Sequence, residues 1–128
     1  MPVLEMTKEN HHDMVAAGGI LLVDCWAPWC ATCGQSMPVF EACAARYTQH
    51  RFAKLDTEAQ AELRDAMGIE HLPTVVLYRD GLLLFGQAGS FSAERLDDII
   101  SQAEGLDMDV VRAQIATDRG ETPPRTPK

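Results

Sequence analysis

Two thiols, Cys30 and Cys33, stand two residues apart just beyond a continuous apolar run, Ile20-Leu21-Leu22-Val23, that continues through Asp24, Cys25 and Trp26. At the junction of a strand and a helix, this spacing lets the pair close a small disulfide ring with little movement of the backbone. Cys30 then sits at the helix amino terminus, where unpaired N–H groups and the helix dipole stabilise a thiolate near neutral pH. Cys33, one turn further in, is placed to attack the mixed disulfide that Cys30 forms with a substrate, which releases reduced substrate and leaves the pair oxidised. The other two cysteines, Cys25 and Cys43, fall on core positions of a strand and a helix and read as small buried apolar residues. All four cluster between positions 25 and 43. A secreted scaffold would spread its cysteines to close long loops, so the cluster points to chemistry.

The elements that must position this pair are legible around it. Ile20 to Trp26 is a central strand covered on both faces. From Cys30 to Tyr47, Val39, Phe40, Cys43, Ala44 and Tyr47 recur at helical spacing, with Pro38 expected to kink the helix. Val3 to Met6 is a short strand, and Thr7 caps a weak helix that runs through Met14 and Val15 to Gly18-Gly19. His11 and His12 on that helix read as surface residues. Phe52 to Leu55 is a second strand. Thr57 with Gln60 forms a capping box opening a helix that carries Ala59, Leu63, Ala66 and Met67 on one side. Thr74 to Tyr78 and Leu82 to Phe85 flank Asp80-Gly81 as a hairpin, which makes the sheet mixed. Ser92 caps a helix with Leu96, Ile99, Ile100 and Ala103 on one face, ending at Gly105. Asp107 caps one more short helix with Met108, Val111 and Ile115 inward, and the proline-bearing tail from Arg119 to Lys128 reads as disordered. The fold class is α/β, a central mixed sheet flanked by helices on both faces.

Composition excludes several functions. The 128 residues are 46% hydrophobic and 23% charged, as in ordinary soluble domains, and suffice for one core without staples. A net charge of −8 and a pI near 4.8, with no Lys/Arg cluster, argue against nucleic-acid binding. No apolar run approaches the roughly 20 residues that span a bilayer. The segment from Met1 to Asn10 carries Glu5, Lys8 and Glu9 and does not read as a secretory signal, so the expected location is the cytoplasm.

Beyond the dithiol, Val23-Asp24-Cys25-Trp26-Ala27-Pro28-Trp29-Cys30 with Cys33 and Pro38, then Ala53-Lys54-Leu55-Asp56, Leu72-Pro73-Thr74, Asp80-Gly81 and Gly89 follow in an order that resembles the thioredoxin family from about Val3 to Ala103. The resemblance implies a thioredoxin fold over residues 1–105, with a helical extension at 106–118 and the tail at 119–128. It implies that Pro73 is cis and packs on the dithiol, leaving the Leu72 backbone free to pair with an extended substrate segment. Asp24 resembles the family's buried carboxylate, which assists proton transfer at the resolving thiol, and Lys54 resembles its partner. Trp26 and Trp29 would frame the site, with Gly89 in the substrate-binding surface. The implied activity is thiol-disulfide oxidoreduction on protein disulfides, with no bound cofactor beyond the redox-active Cys30-Cys33 disulfide. A thioredoxin-reductase-like flavoprotein would be the electron donor and the working form a monomer.

Where this family has glycine and proline between its cysteines, this chain has Ala31 and Thr32. Threonine adds a backbone donor that proline lacks, which favours the Cys30 thiolate and a more oxidising pair. Gly34 stands where the family often has a basic residue, and the missing cation works in the opposite direction. His71, two residues before Pro73, is a candidate charge partner for Cys30, weighed against an exposed loop histidine. Two other functions compete. One is a thioredoxin-like partner-binding or redox-sensing module in which the extension docks the partner. The other is a metal site, for which Cys30 and Cys33 supply two ligands and no second pair is spaced to complete the set.

Overall fold

The computed structural model describes residues 3–118. The tail from Arg119 to Lys128 lies outside them. In chain order the elements are β1 (Val3–Glu5), α1 (His11–Ala16), β2 (Ile20–Trp26), α2 (Ala31–Arg46), β3 (Arg51–Asp56), α3 (Ala61–Met67), β4 (Thr74–Arg79), β5 (Leu82–Ala88), α4 (Ala93–Glu104) and α5 (Met108–Asp118). The sheet runs β1-β3-β2-β4-β5, with β2 parallel to β3 on one side and antiparallel to β4 on the other. The apolar β2 is therefore interior, and its alternation feeds two cores. Ile20 and Leu22 join Phe40, Phe52, Leu77, Leu96 and Ile100 under α2 and α4. Leu21, Val23 and Cys25 join Leu55, Leu63 and Val76 on the face of α1 and α3. Asp24 and Trp26 share the parity of Leu22, so both point to the face that α2 covers.

Asp80 and Gly81 both have positive φ, 52° and 85°, as a tight two-residue hairpin turn requires. Asp80 Oδ1 also accepts the Gly19 N–H at 2.8 Å, tying the hairpin tip to the start of β2. Ser92 caps α4 by accepting the Arg95 N–H at 3.1 Å. Asp107 caps α5 by accepting from Asp109 and Val110 at 3.0 and 3.3 Å. In α5, Met108 and Ala116 are buried, while Val111 and Ile115 are half-buried. The end of α4 is held by Arg79, whose guanidinium donates to the carbonyls of Ala103 at 2.6 Å and Leu106 at 2.8 Å.

Four local expectations are corrected. The helix after β1 starts at His11, because Thr7 and Asn10 exchange hydrogen bonds, Thr7 N–H to Asn10 Oδ1 at 2.8 Å and Asn10 N–H to Thr7 Oγ1 at 3.3 Å, in a turn that precedes it. The Thr57/Gln60 capping box does not form: Thr57 donates its hydroxyl to the Trp26 carbonyl at 3.0 Å and Gln60 accepts from the Lys8 N–H at 3.0 Å. Consequently α3 begins at Ala61, Ala59 stays outside it, and of the expected inner face only Leu63 is buried, with Met67 half-buried and Ala66 exposed. Finally, His11 is not simply a surface residue. Its ring meets Tyr78 edge-on at 6.5 Å, and burial, with His12 beside it, lowers its pKa. The helix α2 runs from Ala31 to Arg46 as one element with Pro38 inside it. No described helix is long and apolar enough to cross a membrane.

Candidate active site

Strand β2 ends at Trp26, and a turn closed by the Cys30 N–H on the Ala27 carbonyl at 3.1 Å delivers the chain to α2. Cys30 is the N-cap residue, extended at φ −91° and ψ 102°, and its sulfur accepts the Cys33 N–H at 3.2 Å. A sulfur in the position usually taken by a serine or aspartate oxygen receives one of the helix's unpaired donors. The two cysteines are joined as a disulfide with their Cα atoms 5.3 Å apart. Cys33 is buried, Cys30 is partly exposed, and Ala31 and Thr32 are exposed in the first turn between them. Trp29 directly precedes the pair and is 69% exposed, a large aromatic surface in water at the mouth of the site.

The segment before β4 carries a cis Leu72–Pro73 peptide, with Pro73 buried and Leu72 half-buried. Two contacts hold it. The Thr74 hydroxyl donates to the His71 carbonyl, and the Gly89 N–H donates to the Pro73 carbonyl at 2.8 Å. Gly89 has φ +115°, a conformation that a side chain strongly disfavours, so glycine is required for this approach. His71 itself is exposed, and no hydrogen bond joins its ring to Cys30.

Behind the pair, Asp24 is 2% exposed, and its Oδ1 has no hydrogen-bond partner among the described residues. Burial pushes its carboxyl up to about 7. It borders a cavity of about 10 Å³ shared with Ser36, Phe40, Pro73, Gly89 and Phe91. Lys54 lies opposite Asp24 in the β2–β3 register, yet the two form no salt bridge. Lys54 instead lines a separate cleft with Trp26, Cys33, Gly34 and Met37. Trp26 is anchored through its carbonyl, which accepts the N–H and hydroxyl of Thr57 at 2.8 and 3.0 Å. Among the described residues no group of three or more His, Cys, Asp or Glu side chains is placed to hold a metal ion.

Sequence reasoning missed Ser36 and the anchoring role of Thr57. Ser36 donates to the Cys33 carbonyl at 3.2 Å and faces the Asp24 cavity, and its place three residues after Cys33 on a helix was the available signal. Cys25 and Cys43 are free and buried on opposite faces of the sheet, their thiols pushed up by burial to about 12 and about 11.

Such a fold with such a dithiol defines a class of protein, one that exchanges thiols for disulfides through two cysteines. Comparison with known proteins narrows it. The family model for thioredoxin matches residues 2–102. A putative thioredoxin 2 of Streptomyces coelicolor is 42% identical over 113 residues, covering 88% of this chain and 84% of that one. The thioredoxin of Chlamydia muridarum is 32% identical over 97 residues, covering 76% of this chain and 94% of its own. Among solved structures, a mutant thioredoxin from Halobacterium salinarum superposes with a TM-score of 0.74 at 28% identity, over 81% of this chain and 92% of that one. The chain belongs to the thioredoxin family. It is a thiol-disulfide oxidoreductase with Cys30 and Cys33 as its redox pair.

Proposed function

We propose that the chain is a monomeric, cytoplasmic protein disulfide reductase recharged by a thioredoxin-reductase-like flavoprotein. The observation that carries this reading is the Cys30 sulfur at the N-cap of α2, partly exposed, beside the exposed Trp29. In the reduced protein the Cys30 thiolate attacks one sulfur of a substrate disulfide; an S–S bond forms to that sulfur, and the other leaves as a thiol. Cys33 then attacks the Cys30 sulfur, the mixed disulfide breaks, and the second substrate thiol is released. Two electrons have passed to the substrate, and the donor returns two to the Cys30-Cys33 disulfide. Cys33 must lose its proton to attack, and Asp24, with its carboxyl near neutrality, is the buried base that receives it.

Substrate binds across Trp29, Leu72, Pro73 and Gly89. The Gly89–Pro73 hydrogen bond uses the Pro73 carbonyl internally, which supports assigning main-chain pairing with substrate to Leu72. Thr32, in the exposed first turn, contributes an N–H where proline would have none and makes the pair more oxidising. Ala31, Trp26 and His71 tune the site from its border. Lys54 acts from the cleft that it lines with Trp26 and Cys33.

The test is turnover. Nicotinamide oxidation is followed with a thioredoxin reductase and a disulfide-bonded protein substrate, comparing the native chain with Cys33→Ser. Turnover by the native chain alone, with a trapped mixed disulfide in the variant, is expected. A reversible Cys30-Cys33 disulfide with no turnover would favour a partner-binding role instead.

A further inference from the structure

Of the residues that line the cavity beside Asp24, only Asp24 and Ser36 carry a polar side chain. Asp24 is buried with its Oδ1 unpartnered, while Ser36 is half-buried. The Ser36 hydroxyl donates to the Cys33 carbonyl at 3.2 Å, which leaves the lone pairs of its oxygen able to accept. A space of about 10 Å³ is about what a single water needs, and a buried water needs polar partners. The carboxylate and the serine oxygen are two such partners.

We propose that Ser36 is a positioning residue for the resolving step, its hydroxyl oxygen holding one water against the Asp24 carboxylate and so keeping the ionised form available to take the Cys33 proton. The inference rests on the reading of Asp24 as that base. The water donates one hydrogen to Ser36 and the other to the carboxylate, which favours the charged form against the cost of burial. The Cys33 proton then passes to Asp24 and the Cys33 sulfur bonds to the Cys30 sulfur. The bond from Cys30 to the substrate breaks with its electron pair on the departing sulfur. The other elements packed around Asp24 offer no substitute. On β3, Lys54 stands opposite it in register without a salt bridge; on β4 the register partner is Val75, and α4 contributes Leu96. The titratable neighbours are the Cys33 thiol of the reduced pair and Cys25, next on β2, whose thiol is pushed up to about 12 by burial and by Asp24.

The test mixes the pre-reduced full chain with a disulfide-bonded peptide and follows the two released thiols separately. The first reports attack by Cys30 and the second reports resolution by Cys33. Ser36→Ala is compatible with α2, because alanine is the better helix former. It is expected to slow release of the second thiol roughly three- to tenfold near pH 7, the change that losing one hydrogen bond brings. The rise of that rate with pH should move to higher pH, because the ionised carboxylate has lost a donor. Ser36→Thr, which keeps the hydroxyl, should restore both rate and profile. A native resolving rate and pH profile in Ser36→Ala, or an equal slowing of both steps, would overturn the proposal and leave Asp24 as the base. Native resolution in Asp24→Asn would remove both readings.

Discussion

At the scale of single residues, Asp24 carries an electrostatic cost that its burial explains. An ionised carboxylate with an unpaired oxygen in an apolar core is disfavoured, and the protein responds by holding the proton to near pH 7. The sign of the stability effect follows. From the ordinary aspartate pKa up to about 7, the folded chain retains a proton that the unfolded chain has released, so stability falls as pH rises through that interval and levels off above it. Asp24→Asn carries no such loss. By urea unfolding it is expected to be more stable than the native chain by roughly 2–4 kcal/mol near pH 8, with the difference closing toward pH 4. A native chain whose stability is level across that range would show the carboxylate to be solvated. The same variant should slow the resolving step if Asp24 is the base for Cys33, as the proposed mechanism has it.

At the scale of elements, the site is an agreement between three pieces that are distant in sequence. The start of α2 supplies the dithiol, the turn before β4 supplies Pro73, and the residue just after β5 is Gly89. The stitch between the last two is the Gly89 N–H on the Pro73 carbonyl, made possible by φ +115°. Gly89→Ala forces a side chain into that region. It is expected to cost about 1–3 kcal/mol in thermal or urea unfolding and to raise KM for protein substrates more than it lowers kcat. A variant with native stability and native KM would show that the loop adapts without the stitch. The other end of α2 is secured separately. Arg46 and Tyr47 both donate to Asp97 of α4, at 2.8 and 3.0 Å, and His50 bonds Glu104 at 2.7 Å, so α2 and α4 stay in step far from the chemistry.

At the scale of the whole molecule, α5 lies beyond the stretch that the family model matches, residues 2–102. Its anchors are modest: Met108 and Ala116 are buried, while Val110 on the same helix is 63% exposed. The Arg79 bonds that secure the end of α4 reach only as far as Leu106. A chain truncated after Leu106 therefore keeps every described contact of the site. It is expected to retain turnover within about twofold and to lose roughly 1–3 kcal/mol of stability, the magnitude of exposing one or two apolar side chains. Loss of turnover without unfolding would instead make α5 a working part of the enzyme.

The sequence alone determined the sheet, the dithiol and the order of the elements, because each rests on a local rule. A continuous apolar run reads as an interior strand, Asp80-Gly81 as a hairpin, and a Cys-x-x-Cys after a strand as a redox pair at a helix start. Local rules misled where a polar side chain had a choice of partners. Thr57 and Gln60 satisfy a capping pattern on paper, but the Trp26 carbonyl and the Lys8 N–H lie within reach only once β2 and β1 are in place. The same holds for Lys54. Its position opposite Asp24 follows from pairing two strands, but its lack of a salt bridge to that carboxylate and its place beside Cys33, Gly34 and Met37 depend on how α2 lies across the sheet. That Asp24 is buried beside a cavity of about 10 Å³ with Ser36 and Gly89 was likewise a decision of the tertiary structure, since burial is a property of what packs around a residue and not of the residue itself.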